Sequence, residues 1–182
     1  EMCIRDREMA EDSRRLLEHL AIDRADVMGY SMGARITTFL AVNHPERVRS
    51  AVVAGMAGNM FKGVETSGII AVALVADSVD DIELPTAKAF RLFADRTGGD
   101  RRALAACMRA GRPALSRDAL AAISCPVLVV AGDEDPIAGP VGPLVDAIPG
   151  AQGLTLPGRD HMKAVGDTTY KRGVIEFLKT LK

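Results

Sequence analysis

The stretch Val27-Met28-Gly29-Tyr30-Ser31-Met32-Gly33-Ala34 constrains this chain more than any other. It joins a short apolar run, 25–30, to a helical pattern that starts at Met32 and runs to about Asn43. The run reads as a buried strand. Pro45 closes the helix, because a residue before proline avoids helical geometry. At the junction stands G-x-S-x-G. A strand that turns at once into a helix around this pattern presents the serine at a sharp apex. Glycines at 29 and 33 let neighbouring backbone approach without a Cβ. The backbone N–H of Met32 then lies at the positive end of a helix, where an oxyanion would be received. A plain turn with a helix-capping serine is the competing reading.

The rest of the chain alternates in the same way. An amphipathic helix is expected over 6–20, with Met9, Ser13, Leu16, Leu17 and Leu20 at helical spacing. Strands are expected at 48–54, 127–131 and 153–156. Part of a helix is expected at 143–148, and a last helix at 168–181 with Val174, Ile175 and Leu178 on its inner face. Strands alternating with helices predict an α/β fold, a parallel sheet flanked by helices. Between 55 and 123 no strand pattern occurs. Helices fit near 66–76, after Pro85, from Asp100 as N-cap to Gly111, and after Ser116. This predicts a core of 1–54 and 124–182 with a helical cap or lid inserted at 55–123. Met60, Phe61, Phe90, Phe93 and Met108 are its candidate pocket lining or its own core.

A serine needs a base, and the base an orienting acid. There are three histidines. His19 lies in the first helix. His44 precedes Pro45 at a helix end, which suits a surface or capping role. His161 follows the last predicted strand, on a loop at the sheet's C-terminal edge, and is the candidate base. The strand at 127–131 runs into Gly132-Asp133-Glu134-Asp135-Pro136. An acid there would reach a histidine on the next loop, but spacing does not choose between Asp133 and Asp135.

Composition excludes several other classes. A formal net charge of -1 leaves no electrostatic footprint for nucleic acid. The longest apolar run, 68–76, falls far short of the roughly 20 residues of a membrane span. Cys3, Cys107 and Cys125 are odd in number and form no C-x-x-C pair, so neither a disulfide framework nor a zinc site is expected. A reducing cytoplasm is the default compartment, and Cys107 and Cys125 are expected to pack as small hydrophobes.

Gly29-Tyr30-Ser31-Met32-Gly33-Ala34, the run 126–136 and Gly158-Arg159-Asp160-His161 together resemble the signature blocks of the α/β-hydrolase superfamily. His44-Pro45-Glu46-Arg47-Val48 resembles its usual link from the serine-bearing helix to the next strand. The resemblance implies Ser31 as nucleophile and His161 as base. It favours Asp135, the third residue after Gly132, as acid, with Asp133 as fallback. It implies Met32 N–H as an oxyanion donor, and no cofactor or metal. The implied reaction is hydrolysis of a small ester or related acyl compound through an acyl-enzyme. Cofactor-free haloperoxidase-like chemistry on the same residues is an alternative. Family members carry further strands ahead of the first helix, and the loop after the third supplies a second oxyanion N–H. This chain begins with Glu1 and shows no such strands, so a fragment or truncated product is expected. Loss of one oxyanion donor costs about 100- to 1,000-fold in rate. The 25–30 strand would also become an open edge inviting self-association. A catalytically impaired remnant or binding module is therefore a further alternative.

Overall fold

The computed structural model describes residues 4–62, 66–110 and 114–181. In chain order the elements are α1 (Ile4–His19), β1 (Ala25–Tyr30), α2 (Met32–Asn43), a 3-10 turn (Pro45–Arg47), β2 (Val48–Ala54) and a second 3-10 turn (Gly58–Phe61). Then come α3 (Ser67–Val75), α4 (Pro85–Thr97), α5 (Arg101–Arg109) and α6 (Arg117–Ala121). The chain continues with β3 (Val127–Gly132), α7 (Gly142–Val145), β4 (Gln152–Leu156), α8 (His161–Ala164) and α9 (Thr168–Lys179). The end of α5 expected at Gly111 lies outside the described residues, as does Cys3.

The described strands form one parallel sheet in the order β1-β2-β3-β4. Every residue of β3 is buried, and all of β2 except Arg49, which is why neither alternates in its sequence. β1 pairs on one side only, with β2, among the described residues, and its Met28 is 60% exposed. The ladder continues past the strand ends: Ser31 N–H donates to Ala54 O at 2.8 Å, Gly55 N–H to Val130 O at 2.8 Å and Asp133 N–H to Leu156 O at 3.2 Å. The loops after β1, β2 and β3 are thereby tied to one edge of the sheet.

On one face Val52, Ala54, Leu128, Val130 and Leu156 pack with Tyr170, Val174 and Phe177 of α9. The rotation of α9 differs from the sequence expectation. Ile175 is 53% exposed, whereas Tyr170, Val174 and Phe177 face inward with Leu178 packed at the margin. The cause lies at Gly173, where a Cβ would meet Leu154 Cδ2 at 2.4 Å. The helix is drawn against β4 at that point. This seats the i, i+4, i+7 set 170/174/177, and Ile175 lies a further ~100° round the helix from Val174.

α1 is held to α2 by a charge rather than by a grease contact alone. Arg35 is 1% exposed, and its Nε donates to Asp6 Oδ2 at 2.7 Å. Its Nη1 lies 3.8 Å from Met60 Sδ, and the guanidinium sits 5.9 Å from the Phe39 ring centroid. Replacing Asp6 with alanine is expected to cost about 3–5 kcal/mol, because the guanidinium loses its carboxylate while buried. The double replacement Asp6→Leu with Arg35→Met should lose much less. Urea midpoints of the single and double variants check this; equal losses would show the pair to be inert.

The described residues divide into two compact units, 4–62 with 114–181, and 66–110. Residues 55–62 and 114–123, read from the sequence as part of the insertion, pack with the sheet-bearing unit. Ala57 and Asn59 N–H donate to Ala138 O, Gly58 N–H to Pro140 O, and Leu115 N–H to Met60 O. Met60 is accordingly a fully buried core residue of that unit beneath Arg35, not a pocket wall. Phe61 lies under the Arg117 guanidinium, 4.8 Å from its ring centroid. In the other unit α3 packs against α4 and α5. Gly98 ends α4 in the left-handed region at φ 64°, and Asp100 caps α5 by accepting from Arg102 and Ala103 N–H. Arg91 Nη1 donates to Ala76 O at 2.5 Å at the end of α3. No described helix is long and apolar enough to cross a membrane.

Candidate active site

Ser31 takes φ 56° and ψ -112°, left-handed backbone on a residue that is not glycine. Such a conformation costs about 1–3 kcal/mol and persists only where the surroundings impose it. Here they do: Ser31 N–H is held by Ala54 O, and Ser31 O accepts from Ala34 and Arg35 N–H. Gly29 is indispensable to this turn, since a Cβ there would lie 2.0 Å from Gly33 O. Gly33 differs from expectation, because a Cβ on it would meet nothing within 4 Å. It supplies the backbone that Gly29 approaches and needs no space of its own.

Ser31 does not cap α2 with its side chain. Its Oγ lies 3.0 Å from His161 Nε2 instead. The other ring nitrogen, Nδ1, lies 2.8 Å from Asp135 Oδ2. His161 is 6% exposed and Asp135 4%. A carboxylate on Nδ1 selects the tautomer with the proton there, so that Nδ1–H donates to Asp135 and Nε2 accepts from the Ser31 hydroxyl. The second oxygen of Asp135, Oδ1, accepts from Ile137 N–H at 2.9 Å and Ala138 N–H at 3.0 Å. Both carboxylate oxygens are therefore committed, and the side chain is oriented from both ends.

Asp133, which spacing left open as the acid, points elsewhere. It is exposed, and its Oδ1 accepts from Gly158 N–H at 2.7 Å. It staples the loop after β4 to the loop after β3. Gly132 permits the same approach: a Cβ there would lie 1.9 Å from Arg159 O, which also accepts from Glu134 N–H at 3.2 Å. Sequence reading also missed Asn59, whose Nδ2 donates to Pro136 O at 2.9 Å and Ile137 O at 3.1 Å. Gly139, at φ 70°, would place a Cβ 2.7 Å from Asn59 Oδ1. Nothing near Asn59 in sequence signals this, because its partners lie some 77 residues on.

His161 opens α8, a short helix that sequence reading did not find. Asp160 caps it, accepting from Met162 N–H at 3.0 Å and Lys163 N–H at 2.8 Å. The Lys163 backbone bond, with the Lys163 ammonium and Met162 N–H assisting, holds the Asp160 carboxyl below its ordinary 3.8. The sign follows: the cap contributes fully above that value and is lost as pH falls through the lowered one. Asp160→Ala is expected to lower stability by about 1 kcal/mol near neutral pH. The difference from the parent should shrink below pH 3.8, which urea unfolding at the two conditions would read.

The other two histidines stand apart from Ser31. His44 is the C-cap residue of α2, and its Nε2 partners Glu11, whose carboxyl is lowered to about 2 by the Arg14 and His44 hydrogen bonds. His19 is exposed in the last turn of α1. Cys125 is a buried free thiol, and burial pushes its pKa up; Cys107 is half-buried. Among the described residues no cluster of histidine, cysteine and carboxylate side chains is placed to hold a metal. Met32 begins α2 directly after Ser31, so its backbone N–H lies at the positive end of that helix.

A family model described as the alpha/beta hydrolase fold matches residues 3–75. The chain is 30% identical over 150 residues to 3-oxoadipate enol-lactonase 2 of Acinetobacter baylyi, covering 71% of this chain and 54% of that protein. It is 48% identical over 46 residues to 2-hydroxymuconate semialdehyde hydrolase of a Pseudomonas species, covering 25% of this chain and 16% of that one. The chain thus spans about half the length of the first of these relatives, and less of the second. Among solved structures, a hydrolase from Pseudomonas aeruginosa superposes with TM-score 0.68 at 27% identity, covering 93% of this chain and 70% of its own. The enol-lactonase from Burkholderia xenovorans shares the fold at TM-score 0.63 and 23% identity, covering 93% and 71%. By its parallel sheet, its serine-bearing turn and these likenesses, the chain has the α/β-hydrolase fold.

Proposed function

We propose that this chain carries the catalytic residues of a serine hydrolase that cleaves a small ester or lactone. The observation that supports it most is the run of hydrogen bonds from the buried Asp135 through His161 to Ser31. In this reading Ser31 Oγ attacks the substrate carbonyl carbon while His161 Nε2 takes the hydroxyl proton. Asp135 keeps the proton on Nδ1 and stabilises the imidazolium. The carbonyl π electrons move onto oxygen, and Met32 N–H at the positive end of α2 receives that oxyanion. Collapse expels the alkoxide, which His161 protonates. Water then repeats the sequence on the acyl-enzyme and frees Ser31.

Nothing in these steps draws on a metal or cofactor. The lactone half of the proposal leans on the relatives, two of which are named as enol-lactonases. A lactone leaving group stays tethered to the acyl chain, so the acyl-enzyme from a lactone carries its own hydroxyl or enol. The free Cys125 thiol favours a reducing compartment, the cytoplasm, for this reaction.

Intact-mass analysis after treatment with a fluorophosphonate tests the reading. The expected result is one adduct on the protein, at Ser31. A folded chain that takes up none overturns it.

A further inference from the structure

We propose that Tyr30, the residue before the serine, is a positioning residue for the base, its hydroxyl anchoring the backbone of His161 over Ser31. The inference rests on the hydrolase reading above and adds to it a group outside the serine, histidine and carboxylate. Tyr30 Oη donates to His161 O at 2.6 Å. Its ring centroid lies 5.4 Å from that of His161 and 6.3 Å from that of Tyr170. Two consecutive residues at the end of β1 thus hold one histidine: Tyr30 through the histidine's carbonyl and Ser31 through its Nε2. Asp135 sets the rotation of the imidazole, while Tyr30 sets where the histidine backbone stands.

The seat of the Tyr30 ring is itself imposed. Gly55 follows β2 at φ 64°, and a Cβ there would lie 2.6–2.9 Å from three ring carbons of Tyr30. The ring is confined against Gly55 backbone on one side and by His161 and Tyr170 on others. Desolvation, with the Asp135 charge next, pushes the phenol up from its ordinary 10.0. Tyr30 therefore keeps its proton and remains a donor across any ordinary assay pH. The plainer account is a half-buried tyrosine that satisfies its hydroxyl on the nearest carbonyl. The two accounts differ in what the hydroxyl does to the chemistry, since displacement of a catalytic group by about 1 Å can cost up to ~100-fold in rate.

Tyr30→Phe keeps the ring and removes the donor. We expect kcat on an ester or lactone to fall about tenfold, with KM changed less than about twofold. Fluorophosphonate uptake should slow in the same proportion. The downfield proton resonance of His161 Nδ1–H, read on the resting protein, should shift or broaden. That signal needs no turnover, so it decides the role of Tyr30 even if the parent chain takes up no fluorophosphonate, a result that overturns the hydrolase reading by itself. An unchanged resonance, or parental kcat, overturns the positioning role. Should the phenylalanine variant not fold by circular dichroism, a fluorinated tyrosine placed at position 30 keeps the size and strengthens the donor. A shift of the same resonance then supports the proposal, and an unmoved one overturns it.

Discussion

Ser31→Ala is expected to abolish fluorophosphonate uptake and to lower kcat/KM by about 10,000-fold or more. The nucleophile is lost, while the dipoles around it remain and account for any residual rate. The fold should survive the change. Ser31 Oγ caps nothing, and the turn is held by backbone bonds at Ala54 O and Ser31 O, which alanine retains. Urea unfolding should move by no more than about 0.5 kcal/mol. Parental activity in the alanine variant would remove Ser31 from the chemistry and with it the whole proposed mechanism.

The second large effect separates the two neighbouring aspartates. Asparagine at 135 keeps the shape, and its carbonyl oxygen can still accept from Ile137 and Ala138 N–H. Its amide group would then face His161 Nδ1 as a donor and drive the imidazole into the other tautomer, with Nε2 protonated and useless as a base. Asp135→Asn should therefore lower kcat by about 10,000-fold. Asp133→Asn should stay within a few-fold, because an asparagine oxygen still accepts from Gly158 N–H and nothing of Asp133 reaches His161. The two rates, measured side by side with circular dichroism as a check on folding, decide the assignment. A larger loss at position 133 would transfer the acid role there.

Much of this architecture was legible in local sequence, for a definite reason. A strand covered on both faces must be apolar throughout, so 48–54 and 127–131 announce β2 and β3 within a residue of their observed ends. Pro45, Pro85, Asp100 and Ser116 mark helix limits by chemistry that involves only their own neighbours. G-x-S-x-G between strand and helix marks Ser31 because the strained apex needs Gly29 four residues before the atom it would hit, Gly33 O. His161 could be singled out by elimination along the chain.

What remained open depended on groups distant in sequence. Asp133 and Asp135 look alike locally, and only the packing of the loop after β4 onto the loop after β3 separates them, by giving Gly158 N–H to one and His161 to the other. The facing of α9 was misread because helical periodicity does not say which stripe meets the sheet; Gly173 against Leu154 does. Arg35 reads as a polar residue on a helix surface until Asp6 is brought beneath it. Tyr30 carries no signal beyond its place beside Ser31, since its partner carbonyl is 131 residues away. The sequence by itself determined the strands, the longer helices, the parallel sense of the sheet and the serine turn, all of which follow from burial pattern and backbone geometry over a few residues. The tertiary structure decided which carboxylate meets His161, how that histidine is held and which charge is buried, because those depend on where the folded sheet brings distant loops together.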